Sequence, residues 1–453
     1  MPIKSHPHQR CLTFCMLVAT LWIQHSLHAF TKSGTSYTTN GSQSDVSAAI
    51  TAAAAGETVQ VPAGTFTWGA SGAQLSVNKA ITLQGAGTGS TIINISSSAP
   101  TWGSGVVAVS GACTVTGFNF KQSGGAATTA ISATGSGGWR VTNIVYNSAA
   151  TAGYFLYGGT YGLIDNCVLN GGAGSDEMIF TRGPTDSWQT ASSMGSGNAV
   201  YVEDCTFNSQ GYTDFNSNAR AVVRFCTINP SSNFIKLDAH GLASNSPPRS
   251  CRHVEFYNNT WSAYGQVAME IRGGTGMVFD NTAPQSGGNA PRIFLDDYTL
   301  GSQTPSAVYP LPDQIGVGKD PLAAASEPLY AWHNLSSGTN WSVTNEMWGT
   351  PMSGLINPDR DYFDTATSFN GSSGVGRGTK AQMLAITPSK KGVGYWVTDE
   401  GSWRTGYSGT SGQLYTWTGS AWALKYTPYA YPHPLRTGAT VAPSNATTTI
   451  QVM

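Results

Sequence analysis

"LIDNCVLN" at 163–170, "YVEDCTFN" at 201–208 and "VVRFCTIN" at 222–229 are three statements of one phrase, a β-rich run that passes through a Cys and ends on Asn. With the Cys replaced, the phrase recurs as "CTVTGFNF" (113–120), "RVTNIVYN" (140–147) and "VEFYNNTW" (254–261). Taking Phe118, Ile144, Cys167, Cys205, Cys226 and Tyr257 as equivalent gives steps of 26, 23, 38, 21 and 31 residues. An irregular period a little above twenty, built of short β runs broken by Gly, Asn and Ser, predicts an all-β solenoid. Each coil is then three short strands joined by turns, and coils stacked at ~4.8 Å bring equivalent side chains into ladders. Cys167, Cys205 and Cys226 read as an inward ladder of small apolar residues rather than as redox centres.

Ahead of the repeat, Lys4 and Arg10 lead into "CLTFCMLVATLWI" and then "LHA" before Phe30. This pattern predicts a secretory signal over residues 1–29, too short to span a bilayer. Lys4 and Arg10 leave with it, so 21 of the 23 basic side chains remain against 24 acidic ones. No basic stripe remains to bind nucleic acid or an anionic membrane, and neither is an expected partner. The expected product is a secreted, monomeric, soluble protein whose surface is polar but poor in charge. Cys113, Cys167, Cys205, Cys226 and Cys251 are odd in number and lack metal-ligand spacing, so no disulfide framework is expected.

Helical periodicity is confined to the start of the mature chain. "SDVSAAITAAAAGETVQVPAGTF" (44–66) offers an N-cap at Asp45, an Ala-rich helix, a stop at Gly56 and an alternating strand. A solenoid has an open end to cover, and this helix is expected to plug it. The segment "VQVPAGTF" and the coils after it resemble the pectate-lyase-like superfamily of right-handed parallel β-helix proteins. The resemblance spans residues 40–300 and implies that fold and activity on polysaccharides, by lyase or polygalacturonase-type hydrolase chemistry. The β-helix domain is assigned to 30–303. From "TPSAVYPLPD" (304–313) the repeat gives way to a Trp- and Pro-rich region, 304–436, expected to form aromatic hairpins packed on the solenoid, with a separate sugar-binding module as the alternative since Trp and Tyr also stack on sugar rings, followed by a linker or tail over 437–453.

The charged residues of the repeat gather around "FIKLDAHG" (234–241). Strand alternation turns Leu237 and Ala239 inward and Lys236, Asp238 and His240 to solvent. The preceding coil supplies Asp214 and Asn216, the following one Glu270 and Arg272. Asp214, Asp238 and Glu270 are expected to form one ladder, and Asn216, His240 and Arg272 a second. One coil earlier, "DEMIFTRG" brings Arg182. The longest insertions, "PTDSWQTASSMGSG" (184–197) and "LASNSPPRSC" (242–251), leave from this same corner and are expected to wall a cleft containing Trp188.

Two chemistries suit this row. In β-elimination on a uronate-containing glycan, His240 or Lys236 removes the ring proton beside the carboxylate carbon and Arg272 meets the developing charge. Asp214, Asp238 and Glu270 are then candidates to hold Ca²⁺, with Asn216, Arg182 and Trp188 contacting the sugar. In similar lyases the base is a Lys, Arg or His, and carboxylates carry the Ca²⁺. In hydrolysis, Asp214 and Asp238 would lie ~5 Å apart on neighbouring coils, a retaining spacing, while Asp214 and Glu270 would lie ~9–10 Å apart, an inverting one. The resemblance to polygalacturonase-type hydrolases extends to His240-Gly241 and Arg272 but not to their adjacent Asp pair, since Asp296-Asp297 falls well past the site. A non-catalytic, glycan-binding β-helix is the third reading.

Overall fold

Successive strands are dealt in rotation to three sheets in the computed structural model. It describes residues 30–438 apart from 102, 123–127, 135–136, 149–152, 173–176, 186, 209–211, 231–236, 243–248, 263–268, 285–291, 296–308, 312, 319–325, 348–349 and 353. The expected signal segment, nearly all of the expected tail, and Asp296-Asp297 lie outside these residues. One coil shows the plan. Val200–Glu203 joins the first sheet, Thr206–Asn208 the second and Tyr212–Phe215 the third, and Arg220–Arg224 returns to the first. Each strand pairs in parallel with its counterpart one coil away. The sheets hold 13, 11 and 11 strands, so the molecule is all-β with long parallel sheets, consistent with a β-solenoid.

The phrase that revealed the repeat is the corner between the first and second sheets. A sharp bend there needs left-handed backbone, and Gly117, Asn143, Asn166, Asp204, Phe225, Asn258, Asp280 and His333 all occupy it with positive φ. Asn, Asp and Gly adopt that conformation most readily, which is why they punctuate the repeat. The next residue turns inward. Cys167, Cys205 and Cys226 are buried there as free thiols, their Sγ atoms 3.2–3.4 Å from the carbonyls of Asp165, Glu203 and Arg224. The continuation of this column is Asn259, not Tyr257. Thr227 pairs with Thr260, and Tyr257 lies opposite Arg224 on the outward face. Asn259, Asn281 and Asn334 extend the column as a buried amide ladder with side-chain hydrogen bonds of 3.0 and 2.7 Å. The phrase-ending Asn147, Asn170, Asn208 and Asn229 form an outer ladder, linked at 2.8 Å on each step.

At the start, the helix Gln43–Ala52 buries Val46, Ala49 and Ile50 and packs against strands Thr58–Val61 and Leu75–Val77. Its N-cap is Ser42, whose hydroxyl accepts from the Asp45 amide. Asp45 instead uses its carboxylate to accept from the amides of Phe30 and Asn40 at 3.0 and 2.8 Å, tying down the incoming chain. The coils also run past the expected boundary at 303. Leu329–Trp332, Leu335–Ser336 and Ser342–Met347 join the three sheets in turn, and Tyr362–Phe363 pairs beyond them on the first.

The aromatic hairpins form a four-stranded sheet of Val375–Gly378, Gly394–Val397, Gln413–Trp417 and Trp422–Tyr426. They cover the outward face of the first sheet, where Tyr257, Phe279 and Trp332 stack rung on rung with centroids 4.6 and 4.4 Å apart. Trp396, Trp403 and Tyr426 close over that column.

Candidate functional site

On the outward face of the third sheet, strand register sets Tyr157, Phe180, Asp214, Asp238 and Glu270 opposite one another on successive rungs. In a parallel ladder a backbone N–H reaches the carbonyl one residue back on its neighbour. The amides of Asn216, His240 and Arg272 do this toward Thr181, Phe215 and Ala239 at 2.9, 2.9 and 2.8 Å. Arg182, Asn216, His240 and Arg272 therefore make a second column two residues further on. Leu237 and Ala239 sit in the core beneath.

Outward does not mean solvent-exposed here. Asp238 is 0% exposed, Asp214 4% and Glu270 5%, against the solvent-facing row expected from alternation. Charges removed from water must be matched, and each carboxylate with described contacts is. Arg272 engages Asp238 through both Nε, at 3.2 Å from Oδ1, and Nη2, and its Nε lies 3.9 Å from Glu270 Oε2. Asn216 Nδ2 donates to both oxygens of Asp214 at 3.3 and 3.4 Å, while its own Oδ1 accepts from the Ser217 amide and hydroxyl at 2.7 and 2.9 Å. The Asp238 amide donates to Thr213 Oγ1 at 3.1 Å. Burial and the nearby charges of Asp214 and Asp238 push the Cys251 thiol far up, leaving it neutral.

His240 is half-buried at the edge of this group, with Nδ1 3.0 Å from the Gly241 carbonyl. A carbonyl only accepts, so the contact assigns the ring proton to Nδ1 and makes Nε2 the basic nitrogen. Arg182 is exposed and lies over a stacked pair, Phe180 at 5.2 Å and Tyr157 at 5.7 Å, the two rings 4.6 Å apart and 7° from parallel. This aromatic platform was missed in the sequence. Its signal was the outward parity of Tyr157 in "YFLYG" and Phe180 in "EMIFT", legible once the strand bounds are known.

Three expected roles meet the geometry differently. Trp188 is buried, with its indole N–H donating to the Ser250 carbonyl at 3.1 Å and the Arg249 and Arg252 guanidinium groups 4.8 and 5.1 Å from its ring. It joins the two insertions to each other and is not presented to a sugar. Arg252 adds hydrogen bonds to the carbonyls of Ser187 and Thr190, and Asp313 clamps Arg249 at 2.7 and 2.8 Å, so these segments are tied to each other. The expected Ca²⁺ set, Asp214, Asp238 and Glu270, lies on successive rungs of one column. Among the described residues no three His, Cys, Asp or Glu side chains converge as metal ligands, and the Arg272 guanidinium holds the place beside Asp238 and Glu270 that a cation would take. Lys236 lies outside the described residues.

The first sheet carries a second charged column, Asp165, Glu203 and Arg224, but residues 426–436 lie across it. Arg224 is fully buried, paired with Glu203 and donating to the carbonyls of Tyr429 and Ala430 at 2.6 and 2.7 Å. This column binds the chain to itself. His433 belongs to the same cover, and burial with the nearby Arg224, Arg436 and Arg140 pulls its imidazole down to about 3. The chain matches no protein-family model and no curated protein, so the chemistry of the column on the third sheet carries the functional reading.

Proposed function

We propose that the protein is a secreted carbohydrate-active enzyme on a right-handed parallel β-helix of the pectate-lyase-like kind, cleaving a uronate-containing polysaccharide by β-elimination. The observation behind this is the column Arg182, Asn216, His240 and Arg272, which offers two cations and an imidazole with a basic Nε2 beside an aromatic platform. An acidic sugar chain laid across the rungs places a ring against Tyr157 and a carboxylate against Arg182. His240 Nε2 takes the proton beside the carboxylate carbon, the C–H electron pair becomes the ring double bond as the bond to the leaving glycosidic oxygen breaks, and that oxygen takes a proton from water, to which the His240 imidazolium then returns the one it removed. Asp238 orients Arg272, whose guanidinium faces the charge that develops on the carboxylate.

The test is incubation of the mature protein with pectate, alginate and other polyuronates, with and without a chelator. Ultraviolet absorbance from the unsaturated product is expected, undiminished by the chelator, and His240→Ala is expected to lose about 10²–10⁴-fold in rate. New reducing ends without that absorbance would replace elimination by hydrolysis. One feature favours that second reading: Asp214 and Asp238 lie on adjacent rungs, ~4.8 Å apart along the stack, the separation of a retaining pair. The Arg272 fork on Asp238 weighs against it. Retention of the polymer with no cleavage would leave a binding protein, and full activity in His240→Ala would remove His240 from the site.

A further inference from the structure

The four-stranded sheet carries a hollow of its own, far along the chain from the column described above. It measures about 510 Å³ and is lined by Lys380, Met383, Leu384, Tyr415, Trp417, Trp422 and Leu424, among others. Trp417 and Trp422 pair across the turn at 418–421 and meet edge-on, ring planes at 67° and centroids 5.7 Å apart, and the Trp422 indole N–H donates to the Ile386 carbonyl at 3.3 Å, which fixes its ring. Four large hydrophobic side chains are exposed among the described residues, and two of them, Leu384 at 61% and Leu424 at 43%, lie in this hollow. Apolar exposure gathered in one concavity marks a binding surface rather than ordinary surface scatter.

The segment that builds it is basic. Residues 371–430 carry six basic side chains, Arg377, Lys380, Lys390, Lys391, Arg404 and Lys425, against two acidic ones, Asp399 and Glu400, in a chain whose net charge is −1. Glu400 is occupied by Lys380 at 2.7 Å and by the Tyr415 hydroxyl at 2.6 Å. Lys390 and Lys391 are exposed, and Lys391 lies beside the tip of the Trp417–Trp422 hairpin, its Cδ 3.9 Å from where a Cβ on Gly419 would sit. Two such basic surfaces repel each other, which disfavours a second copy of the chain as the occupant.

We propose that this hollow binds an anionic sugar chain, with sugar faces on Trp417 and Trp422 and carboxylate or sulfate groups met by Lys390, Lys391 and Lys380. It is a holding site separate from the third-sheet column, and it stands whether or not the protein cleaves anything. The experiment is electrophoresis of the full-length mature protein through gels containing polygalacturonate, dextran sulfate or uncharged dextran, at low and high salt. Retardation is expected in the anionic gels alone, relieved by salt. The double variant Lys390→Glu/Lys391→Glu and, separately, Leu384→Glu are expected to weaken it by about tenfold each. Both alter exposed side chains, and a wild-type circular dichroism spectrum and Tm would show that the fold is kept. Retardation by polygalacturonate but not dextran sulfate names the carboxylate, and retardation by both names either anion. Equal retardation by uncharged dextran, no retardation at all, variants that bind as the wild type does, or a dimer abolished by Leu384→Glu would each overturn the proposal.

Discussion

At Asp238 a carboxylate has been withdrawn entirely from water and left with an Arg272 fork as its counter-charge. A buried pair adds little net stability over an apolar pair, but removing one member strands the other. Arg272→Ala is therefore expected to lose about 3–5 kcal/mol in urea titration, and the further change Asp238→Asn to restore part of it. An unchanged urea midpoint in Arg272→Ala would show that Asp238 is solvated or otherwise matched. Strand alternation in "FIKLDAHG" told which side of the strand Asp238 leaves from, and the register agrees. What lies over that side is a matter of contacts distant in sequence, which alternation does not encode, and Trp188 was misread for the same reason. Glu255 offers a titration with a definite sign. Burial pushes its carboxyl up to about 7, partly countered by the Tyr426 hydroxyl, the Gly195 amide and Arg224. Between the unfolded value of 4.5 and about 7 the folded state holds a proton that the unfolded chain has released, so stability falls as pH rises through that window. Glu255→Gln removes the loss and is expected to gain about 3 kcal/mol on the wild type between pH 4.5 and pH 7. Buried His433, pulled down to about 3, acts with the opposite sign, but it is common to both proteins and cancels in the difference. A difference in Tm that stays flat with pH would place the Glu255 titration elsewhere.

The coil corner shows how a short phrase specifies an element. A left-handed residue bends the chain, the residue after it turns inward, and a short strand follows whose last Asn bonds to the Asn of the next coil. The bend residue is a strong sequence signal because few side chains accept positive φ. The inward residue is a weak one, since Phe, Ile, Cys and Asn all serve. That is why "VEFYNNTW" aligns on Tyr257 when the sequence is read alone. The firmer anchor was its Thr-Trp, matching Thr-Phe at 206–207 and Thr-Ile at 227–228, which puts Asn259 in the column. The two amide ladders also differ in what surrounds them. Asn281 is fully buried, and its side chain serves Asn259, Asn334 and the Phe256 carbonyl at once, so Asn281→Ala orphans several polar groups where no water replaces them. A loss of about 1–3 kcal/mol is expected from chemical denaturation. Asn170→Ala breaks the same kind of bond on the half-exposed outer ladder, where water substitutes, and is expected to cost well under half as much. Equal losses would mean that the two ladders are hydrated alike.

On the scale of the whole molecule, the three-sheet stack was legible from the repeat, whereas its extent was not. The last coil enters after a gap of 53 residues between Asn281 and Asn334, long enough to hide its periodicity, and its strands were assigned to the C-terminal region. The cover formed by that region addresses a weakness of stacked coils. Each coil touches only its neighbours, so a long stack tends to unfold in parts. Residues 426–436 run across the stack instead. Tyr426 bonds Glu255, Tyr429 and Ala430 accept from Arg224, and Arg436 pairs with Glu203 at 2.9 Å and reaches Asp165 at 3.5 Å. Those partners sit on four successive coils, and every contact spans 171 residues of sequence or more, so no coil among them can open without breaking the cover from it. Arg436 fixes the far end of this segment, because its guanidinium serves Asp165, Glu203 and Asp204 together. If the cover couples the coils, Arg436→Ala must do more than lower stability. Its urea transition is expected to broaden, with a smaller m-value or a second step, as the released coils open ahead of the rest. A transition of unchanged slope at a lower midpoint would mean that the coils are already cooperative through their ladders and that the cover contributes only its own contacts.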